Sequence, residues 1–353
     1  MSETLPVIVL GGSGYVAGEV LALLAGHPRL ELAYAVSASR PGQRIASAFS
    51  HLSAVYPSAR FASLDETVSA LPEAPHWIVI SAAPHGVSAS IVAKILEGAA
   101  GAGVRMSVVD ASADFRSRSA EHFESVYGTA HEAPQLLDAF SCAVPEHLKE
   151  ISTPHAAQPG CFATALLLAL VPLVSVGAAK PSFFASAVTG STGAGRTPRE
   201  TTHHPLRQSN LFAYRPLIHR HAPEVCELAR AATGRDIELH FVPHSGPYAR
   251  GIHATVFAEP AGPNGVDDVT SALADFYRDS SFVRVVESPP RLKDIVGTNN
   301  ALLSVHSDAG AIAVCCVLDN LVKGAAGGAI QWVNRLAGWP DTTGLPIAPV
   351  GWV

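Results

Sequence analysis

One cysteine of the chain stands where its thiol could act as a nucleophile. Cys161 follows the dipeptide Pro159-Gly160 and shortly precedes the apolar run 165–170, which predicts a buried helix. Proline and glycine do not continue a helix, so they place a turn directly before it. The first-turn N–H groups and the positive end of the helix dipole then favour the thiolate, which is the nucleophilic form. The alternative is a buried structural cysteine, the more common state of a free thiol.

Two histidines and a glutamate further along the chain have the types needed for proton transfer. His219 and His221 flank one arginine, and Glu224 follows three residues later. A histidine is the usual proton donor near neutral pH, and a nearby carboxylate orients its ring. The sequence does not distinguish the two histidines, so both are candidates, with Glu224 as the orienting partner.

A metal site is the alternative interpretation of this histidine-rich half of the chain. Five further histidines belong to it: His203, His204, His240, His244 and His253. They show no spacing of the HExxH type, so we expect no metal ion. The cysteines include no CxxC pair: Cys142, Cys161, Cys226, Cys315 and Cys316. This odd set predicts neither a disulfide framework nor a zinc site, and it is typical of a reducing cytoplasm.

Two arginine-containing segments have the composition of anion sites. Arg116 follows a predicted strand, and its planar fork can hold a phosphate or carboxylate unless Asp114 takes it up in a structural ion pair. The segment TGSTGAGR also follows a predicted strand. Its many backbone N–H groups can cradle an oxyanion or phosphate, and a merely flexible turn is the alternative. The expected substrate contacts of this segment are Ser191, Thr192, Gly193 and Arg196.

A glycine-rich turn near the start of the chain has the sequence of a dinucleotide-binding fingerprint. The pattern Gly12-x-Gly14-x-x-Ala17 follows an apolar strand at 7–10 and opens a helix, which is the context that the fingerprint requires. Gly12 permits the tight turn, and Gly14 lets the backbone approach a pyrophosphate that the helix N-terminus stabilises. A turn without a ligand is the alternative. The expected cofactor contacts here are Gly12, Ser13, Gly14, Tyr15 and Val16.

The residues after the second predicted strand favour NADP over NAD. An NAD site usually has an acidic side chain there for the ribose 2′-hydroxyl, whereas this chain has Ser37, Ser39 and Arg40, which suit a 2′-phosphate. Arg40 could instead be an ordinary surface charge. After the next strand, a loop at the carboxyl edge of the sheet is expected to cover the nicotinamide. This loop consists of Pro84, His85 and Gly86.

The elements that must position these residues alternate between strand and helix in the first part of the chain. Strands are predicted at 7–10, 30–37, 77–81 and 106–110, with a helix at about 87–100. Such alternation is typical of a doubly wound α/β fold on a parallel sheet. We therefore predict an α/β protein whose N-terminal part is a Rossmann-type domain.

After about residue 155 the pattern of elements changes. Strands are predicted at 183–189, 237–242, 252–257, 301–306 and 311–317, and one clear helix, at about 266–277, interrupts them. This succession predicts an α+β domain with a mainly antiparallel sheet. A helical tail, 320–336, is expected to return to the first domain. The predicted domains are 1–155 plus about 320–353 for cofactor binding, and 156–319 for catalysis, substrate binding and oligomerisation.

Composition narrows the functional classes. The chain has 353 residues, 48% hydrophobic and 15% charged, as in a compact soluble protein with a substantial core. Its net charge of −6 gives no support to nucleic-acid binding. No apolar run reaches the roughly 18 residues that span a bilayer, and the first residues lack the basic region of a secretory signal. We expect a cytoplasmic protein with a small-molecule substrate and no nucleic-acid or membrane partner.

Taken together, these motifs resemble the N-acetyl-gamma-glutamyl-phosphate reductases of arginine biosynthesis. The segments occur in family order over nearly the whole chain: GGSGYVAGE, PHG, DASADFR, QPGCFAT, STGAGR, HRHAPE and DNLVKGAAG. The resemblance implies a Rossmann domain and an α+β domain, assembled as homodimers or homotetramers. It also implies that a cysteine attacks an acyl phosphate, that phosphate leaves, and that NADPH delivers hydride to the thioester to give a semialdehyde.

The resemblance also implies roles for individual residues. Cys161 is the implied nucleophile, and His219 or His221 is the acid–base residue with Glu224 as its orienting partner. The returning tail is implied to close the cofactor site. The implied contacts to substrate or phosphate are Arg116 and the segment 191–196. The implied cofactor contacts of the tail are Asn320 and Gly324.

The chain departs from the family pattern at three positions. Gln158 stands where asparagine is usual before Pro-Gly-Cys, Thr192 where serine is usual, and Gly328 where glutamine is frequent. None of these changes removes a reactive group. The alternative functions are those of aspartate-semialdehyde dehydrogenase, of a carrier-linked aminoadipyl-phosphate reductase in lysine biosynthesis, and of a non-catalytic NADP-binding sensor.

Overall fold

The computed structural model describes residues 4–262, 266–308 and 310–350, and the chain divides into two compact units. The first unit comprises Met1–Cys142, Glu150–Gln158 and Ala326–Leu345. The second unit comprises Ala143–Lys149, Pro159–Ala325 and Pro346–Val353.

The strands and helices are numbered in chain order. The strands are β1 (Leu5–Leu10), β2 (Leu30–Val36), β3 (Phe61–Ala62), β4 (His76–Ser81), β5 (Arg105–Asp110), β6 (Phe140–Cys142), β7 (His155–Ala157), β8 (Ala179–Thr189), β9 (Phe212–Ala213), β10 (Glu238–Ser245), β11 (Ile252–Pro260), β12 (Val283–Val285), β13 (Ala301–Asp308) and β14 (Ala311–Leu318). The helices are α1 (Tyr15–Ala25), α2 (Ile45–Ala48), α3 (Leu64–Ser69), α4 (Ser88–Ala102), α5 (Ala120–Tyr127), α6 (Cys161–Ser175), α7 (His204–Arg207), α8 (His221–Thr233), α9 (Val266–Phe276) and α10 (Gly327–Leu336). A π-helical turn, Val322–Ala326, precedes α10. Among the described residues, no helix combines the length and apolar character needed to cross a membrane.

The first unit is built on a parallel sheet with the strand order β3-β2-β1-β4-β5-β7-β6. Residues 7–10 of β1 are fully buried, as in parallel strands that helices cover. α4 packs on this sheet through Val92 and Ile95, and α1 and α10 contact each other and neighbouring strands. The strand order reverses between β1 and β4, which is the switch point where doubly wound sheets bind ligands. The predicted doubly wound α/β fold is confirmed.

The second unit is built on a mixed sheet with the strand order β12-β13-β14-β11-β8-β10-β9. Among the described strands, four pairs are antiparallel, and β8 with β10 and β12 with β13 are parallel. α6 packs against β8, β11 and β14, and its residues 162–174 are all buried. Along β8, buried Phe183 and Ala185 alternate with exposed Phe184, so the sheet has one buried and one exposed face.

A proline inside α6 leaves one carbonyl of this helix without its usual donor. Pro172 has no N–H, so the carbonyl of Leu168, four residues earlier, loses its intrahelical hydrogen bond. The Tyr277 hydroxyl donates to this carbonyl at 2.8 Å and lies 2.9 Å from Nε2 of His147. Burial raises the pKa of Tyr277 and lowers that of His147 to about 4, so both side chains are neutral. A tertiary contact thus completes the helix that begins at Cys161.

One helix of the second unit differs from the sequence-based expectation. The sequence predicts a single clear helix among the later strands, whereas α8 also forms there and begins at His221. Val225, Leu228 and Ala229 are buried at helical spacing on its inner face. Pro223 obscures this periodicity, but a proline is tolerated in the first turn, where its missing N–H has no intrahelical acceptor.

The two compact units also differ from the predicted domain limits. Residues 143–149 group with the second unit, where Glu146 accepts a 2.6 Å hydrogen bond from Lys323. Residues 346–350 also group with the second unit, where the carbonyl of Pro346 accepts a hydrogen bond from the N–H of Asn299 at 2.9 Å. The tail joins the first unit only from Ala326, because the π-helical turn packs in the second.

Candidate active site

Cys161 is the first residue of α6, as its sequence context predicts. Gly160 caps the helix in an extended conformation, and its carbonyl accepts from the N–H of Thr164 at 2.7 Å. Cys161 is partly exposed, whereas the residues that follow it are buried. Because the first-turn N–H groups have no intrahelical acceptor, they give the helix start a partial positive charge. An anionic sulfur is stabilised in this environment.

Glu224 in α8 holds the start of this helix. Its Oε1 accepts from the N–H of Gly160 at 2.7 Å, and the side chain is buried between packed helices, α6 and α8. Glu224 lies in the first turn of α8, where the helix dipole favours a carboxylate. The sequence predicts Glu224 only as a partner of a histidine, and the structure adds that it fixes the residue before Cys161.

The π-helical turn packs directly against the candidate nucleophile. A Cβ atom on Gly324 would lie 2.8 Å from the Cβ of Cys161, closer than side chains pack, so only glycine fits there. Lys323 beside it is fully buried, and its Nζ donates to Oε1 of Glu146 at 2.6 Å. π-helical turns are rare and occur mostly at functional sites. The turn therefore belongs to the surroundings of the cysteine.

The two candidate histidines lie together beside α6. The rings of His219 and His221 are 4.7 Å apart, and Phe162 packs edge-on against both. Nδ1 of His219 accepts from the backbone N–H of His221 at 3.2 Å, so a neutral His219 carries its proton on Nε2. Burial, and then the charges of Arg220 and Arg215, lowers the pKa of His219 to about 4. His219 is therefore neutral at physiological pH.

Tyr214 packs beside these two histidines. Its ring packs edge-on against His219 with 5.6 Å between ring centroids. Burial, and then a negative charge on Cys161, raises the pKa of the Tyr214 phenol, which therefore keeps its proton and can donate a hydrogen bond. No motif marks this tyrosine in the sequence. In the described part of the chain, no three histidine, cysteine or carboxylate side chains gather as a metal ion would require.

The segment 191–196 is a tight turn that uses its own backbone donors. The N–H groups of Ser191 and Thr192 donate to the carbonyls of Tyr248 and Ala249 at 2.8 and 3.0 Å. The N–H of Gly193 donates back to the start of the turn at 3.2 Å. These three N–H groups therefore do not form the expected cradle, because the neighbouring loop accepts two of them and the carbonyl of Gly190 accepts the third. The role of this turn, including Arg196, as a substrate contact stays a prediction.

Asn320 braces the same turn. Its Oδ1 accepts from the N–H of Gly251 at 2.7 Å, and its Nδ2 donates to the hydroxyl of Thr192 at 3.0 Å. The family resemblance implies that Asn320 and Gly324 are cofactor contacts of the returning tail. Both belong to the second unit, where Asn320 contacts Thr192 and Gly324 packs at Cys161. Their role as cofactor contacts stays a prediction.

The glycine-rich turn after β1 lies in the first unit. The N–H of Gly12 donates to the carbonyl of Val36 at 2.8 Å, and Gly14 precedes α1, which begins with Tyr15 and Val16. Gly11, which the sequence analysis omits, has a φ of +71°, and a Cβ there would lie 2.5 Å from a backbone carbonyl. A Cβ on Gly14, by contrast, would meet nothing closer than 3.8 Å. The turn thus offers the space and the helix N-terminus that a pyrophosphate needs.

Three hydroxyl groups gather at the end of β2, beside this turn. Oγ of Ser37 lies 3.4 Å from Oγ of Ser13 and 3.5 Å from Oγ of Ser39. The half-buried Arg40 donates to the amide oxygen of Gln43 at 3.4 Å, a long contact that a charged acceptor would displace. Hydroxyl donors and an arginine suit the 2′-phosphate of NADP, so these residues fit that cofactor.

Asp114 fixes the loop that follows β4. Its two carboxylate oxygens accept from the N–H groups of Gly86 and Ala89 at 2.8 and 2.9 Å. In the same loop, Nδ1 of His85, which follows Pro84, accepts from the N–H of Ala113 at 2.9 Å. Asp114 therefore caps the start of α4 and orients the loop 84–86.

Arg116 is buried and donates to two backbone carbonyls of the first unit. Nε donates to the carbonyl of Gln158 at 3.0 Å, and Nη2 donates to that of Ala111 at 3.1 Å. The guanidinium thus ties the end of β5 to the residue before Pro159. Its role as a substrate contact stays a prediction.

Two of the three departures from the family pattern meet in the structure. Gln158 is buried, and a Cβ atom on Gly328 in α10 would lie 2.5 Å from its Oε1. A glutamine at 158 and a side chain at 328 therefore compete for one volume, since buried volume is close-packed. We therefore expect the two exchanges, asparagine to glutamine at 158 and glutamine to glycine at 328, to compensate each other.

Gly328→Ala is expected to lower the free energy of unfolding by about 1–3 kcal/mol, the usual cost of overpacking. Gly101→Ala in α4 is the matched control, because nothing lies within 4 Å of the added Cβ and helix propensity alone should stabilise it slightly. Urea unfolding measures the free energy of unfolding of both variants, with tryptophan fluorescence as the signal, since Trp332 lies in α10. Adding Gln158→Asn to Gly328→Ala should recover most of the loss. If Gly328→Ala lowered the free energy of unfolding equally with glutamine and with asparagine at position 158, the two side chains would not share one volume.

Comparison with known proteins connects the two units to a family. Residues 6–157 match the family described as "Semialdehyde dehydrogenase, NAD binding domain", and residues 161–320 match "Semialdehyde dehydrogenase, dimerisation domain". Among solved structures, aspartate semialdehyde dehydrogenase II of Vibrio cholerae has a TM-score of 0.68 at 18% identity, covering 96% of this chain and 99% of that one. The aspartate semialdehyde dehydrogenase of Candida albicans, solved with NADP, has a TM-score of 0.65 at 15% identity, covering 95% and 99%. These likenesses show the fold.

Curated relatives of higher identity define the family more closely. The chain is 35% identical over 363 residues to a putative LysW-L-2-aminoadipate/LysW-L-glutamate phosphate reductase of Aeropyrum pernix, covering 99% of both. It is 37% identical over 361 residues to the N-acetyl-gamma-glutamyl-phosphate reductase of Rhodospirillum rubrum, again covering 99% of both. A relative of the same name from Magnetococcus marinus is 36% identical over 357 residues. With this identity over its whole length, the chain belongs to the N-acetyl-gamma-glutamyl-phosphate reductase family of semialdehyde dehydrogenases.

Proposed function

We propose that the protein is an NADPH-dependent N-acetyl-gamma-glutamyl-phosphate reductase of arginine biosynthesis. It would convert the acyl phosphate to N-acetylglutamate 5-semialdehyde and release phosphate. The observation that carries this proposal is Cys161 at the start of a buried helix, with Gly160 held by Glu224 and two buried imidazoles alongside. A thiol with a proton acceptor in reach is what acyl transfer from an acyl phosphate requires. The names of the curated relatives support the substrate.

Acyl transfer begins at Cys161 in this proposal. The thiolate attacks the acyl carbon, a C–S bond forms, and phosphate departs with the electrons of the broken C–O bond. The first-turn N–H groups of α6 stabilise the negative charge that develops on the acyl oxygen. When bound, NADPH supplies the hydride that reduces the thioester carbonyl. The C–S bond then breaks, which releases the aldehyde and regenerates the sulfur of Cys161.

We assign the proton transfer to His221 rather than to His219. A pKa of about 4 makes His219 a poor acceptor for the proton of a thiol, because an effective base titrates near the working pH. His221 begins α8, and Glu224 lies three residues on, so the two are neighbours on one helix face, where a carboxylate would stabilise an imidazolium. The Nδ1 of His219 accepts from the N–H of His221, so His219 orients this part of the chain.

NADP is the proposed cofactor on the basis of the first unit. Gly12 and Gly14 would lie at the pyrophosphate, where the start of α1 supplies N–H donors. The hydroxyls of Ser13, Ser37 and Ser39, together with Arg40, would hold the 2′-phosphate, and the Ser37 hydroxyl already lies within 3.5 Å of each of the other two. The rates of cofactor reduction with NADP⁺ and with NAD⁺, compared in the reverse reaction, test this choice directly.

Assembly into homodimers or homotetramers is part of the proposal. Phe184 of β8 and Phe257 of β11 are register partners and are 48% and 44% exposed, so they form an apolar patch on the sheet face opposite α6. The match of the second unit to a dimerisation domain supports pairing through this unit.

The reverse reaction tests the proposed function. Purified protein is mixed with N-acetylglutamate semialdehyde, phosphate and NADP⁺, and formation of the reduced cofactor is followed by absorbance. Phosphate-dependent reduction supports the proposal. Reduction with aspartate semialdehyde alone would keep the mechanism and replace the substrate. No reduction with either would refute the proposal, and the carrier-linked aminoadipyl substrate would then be tested, since a relative carries that name.

Exchange of each histidine for asparagine is expected to separate their roles. His221→Asn should lower kcat/KM by about 10²–10⁴-fold, the usual contribution of a general acid–base group, and remove the acidic limb of the pH profile. His219→Asn should lower it much less and keep that limb, because His219 stays neutral down to about pH 4. Steady-state rates between pH 5 and 9 check both. A larger loss in His219→Asn would reverse the assignment.

A further inference from the structure

A charged side chain is buried in an otherwise exposed stretch of the second unit. Arg207, at the end of α7, is the only buried residue among 191–218, with 8% of its surface exposed. Its Nε, Nη1 and Nη2 are all covered, and none has a hydrogen-bond partner among the described residues. Burial lowers the pKa of Arg207, yet a guanidinium titrates so far above neutrality that it stays charged. A buried charge without a partner is strongly unfavourable.

The side chains around this guanidinium compensate its charge only weakly. The ring of Phe212 lies 6.0 Å from the Cζ atom, at the outer limit of a cation–π contact. Tyr248 is the other neighbour, and burial raises its pKa to about 12, so it is a neutral phenol. Its hydroxyl donates to the carbonyl of Val188 at 3.0 Å. Neither neighbour carries a negative charge, so Arg207 keeps its full capacity for an anion.

Both neighbours connect this position to the candidate active site. The carbonyl of Tyr248 accepts from the N–H of Ser191, at the start of the turn 191–196, at 2.8 Å. Phe212 belongs to β9 and lies two residues before Tyr214, whose ring packs on His219. The neighbours of Arg207 are therefore connected to the turn 191–196 through Tyr248 and to the histidines through the segment 212–214.

We propose that Arg207 binds an oxyanion, a carboxylate or phosphate group, of the small molecules on which the enzyme acts. This rests on the proposed function, whose acyl-phosphate substrate carries one group of each kind. A guanidinium matches either group with two parallel N–H donors. The residues next to Arg207 in the chain, such as Gln208 and Leu206, are exposed, so Arg207 belongs to a segment that faces solvent.

The reverse reaction distinguishes the two oxyanions, because phosphate and semialdehyde are separate substrates there. Arg207→Met keeps the length of the side chain and removes its charge. It is expected to raise the KM of one substrate by about 10- to 100-fold, as for the loss of charge-assisted hydrogen bonds, with little change in kcat. A raised KM for phosphate assigns the site to phosphate, and a raised KM for the semialdehyde assigns it to the carboxylate. Arg199→Met, which removes an exposed charge in the same stretch, should change neither.

Direct titration gives a second measurement that does not need turnover. Calorimetric titration of phosphate and of N-acetylglutamate into the wild type and into Arg207→Met should show binding of at least one that the variant loses. Arg207→Lys, which keeps the charge, serves if the methionine variant does not fold, and it should bind with intermediate affinity. Unchanged KM values and unchanged titrations would overturn the proposal. A change in the oligomer mass of Arg207→Met, without any change in KM or binding, would also overturn it, since the partner of Arg207 would then be a second copy of the chain. An inactive wild type refutes the proposed function, whereas the titrations still decide on Arg207.

Discussion

Cys161→Ser is expected to lower turnover by about 10³-fold or more in both directions while leaving the fold intact. The exchange alters one atom at the start of α6. A serine hydroxyl stays protonated near neutral pH, so the anionic nucleophile is lost although Glu224 still holds Gly160. Phosphate-dependent reduction of NADP⁺ measures the loss, and a circular dichroism spectrum equal to that of the wild type shows that it is not caused by unfolding.

Cys226→Ser is the matched control for this prediction. Cys226 is also partly buried and belongs to α8 of the same unit. Burial raises the pKa of its thiol, so this cysteine stays protonated and is not expected to react. The control should turn over like the wild type, and iodoacetamide should inactivate it at the wild-type rate. A Cys161→Ser enzyme within tenfold of wild-type turnover would exclude a thioester on that sulfur.

The parts of the molecule that could be predicted from the sequence depend on local signals. The start of α6 at Cys161 follows from a proline, a glycine and an apolar run within a few residues. Four strands of the first sheet, β1, β2, β4 and β5, contain short buried runs between turns, so their positions and parallel arrangement could also be inferred. The strands β3, β6 and β7 have only two or three residues each and were not predicted. The glycine-rich turn after β1 belongs to the same class, because its pattern and context are contiguous.

The contacts that fix the candidate site could not be inferred in this way, because they join distant residues. Glu224 and Gly160 are 64 positions apart, and Asp114 and Gly86 are 28 apart. In each case the sequence identifies the residue as chemically capable but not the group that it meets. The turn at 191–196 shows the reverse problem, since its composition suggests free N–H donors that the adjoining loop in fact uses.

Lys323→Met is expected to lower the free energy of unfolding by about 3–5 kcal/mol, the usual cost of leaving one member of a buried ion pair alone. The Lys323 and Glu146 side chains are 0% and 3% exposed, and 2.6 Å separates Nζ from Oε1. Without the ammonium group, the carboxylate of Glu146 is left in a protein interior. Urea unfolding followed by circular dichroism measures the change. Lys94→Met is the control, since its 2.6 Å pair with Asp65 is 55% and 83% exposed and should contribute less than about 1 kcal/mol.

A double variant separates the charge from the packing at this pair. Glu146→Gln removes the buried carboxylate charge that Lys323→Met leaves without its ammonium partner. The double variant should therefore regain much of the stability that Lys323→Met loses. Activity should not return to the same extent, because the lysine also holds the π-helical turn whose Gly324 packs against the Cβ of Cys161. Equal recovery of stability and turnover would mean that the pair acts on folding alone. Recovered stability with low turnover would show that the ion pair positions the nucleophile as well as stabilising the second unit.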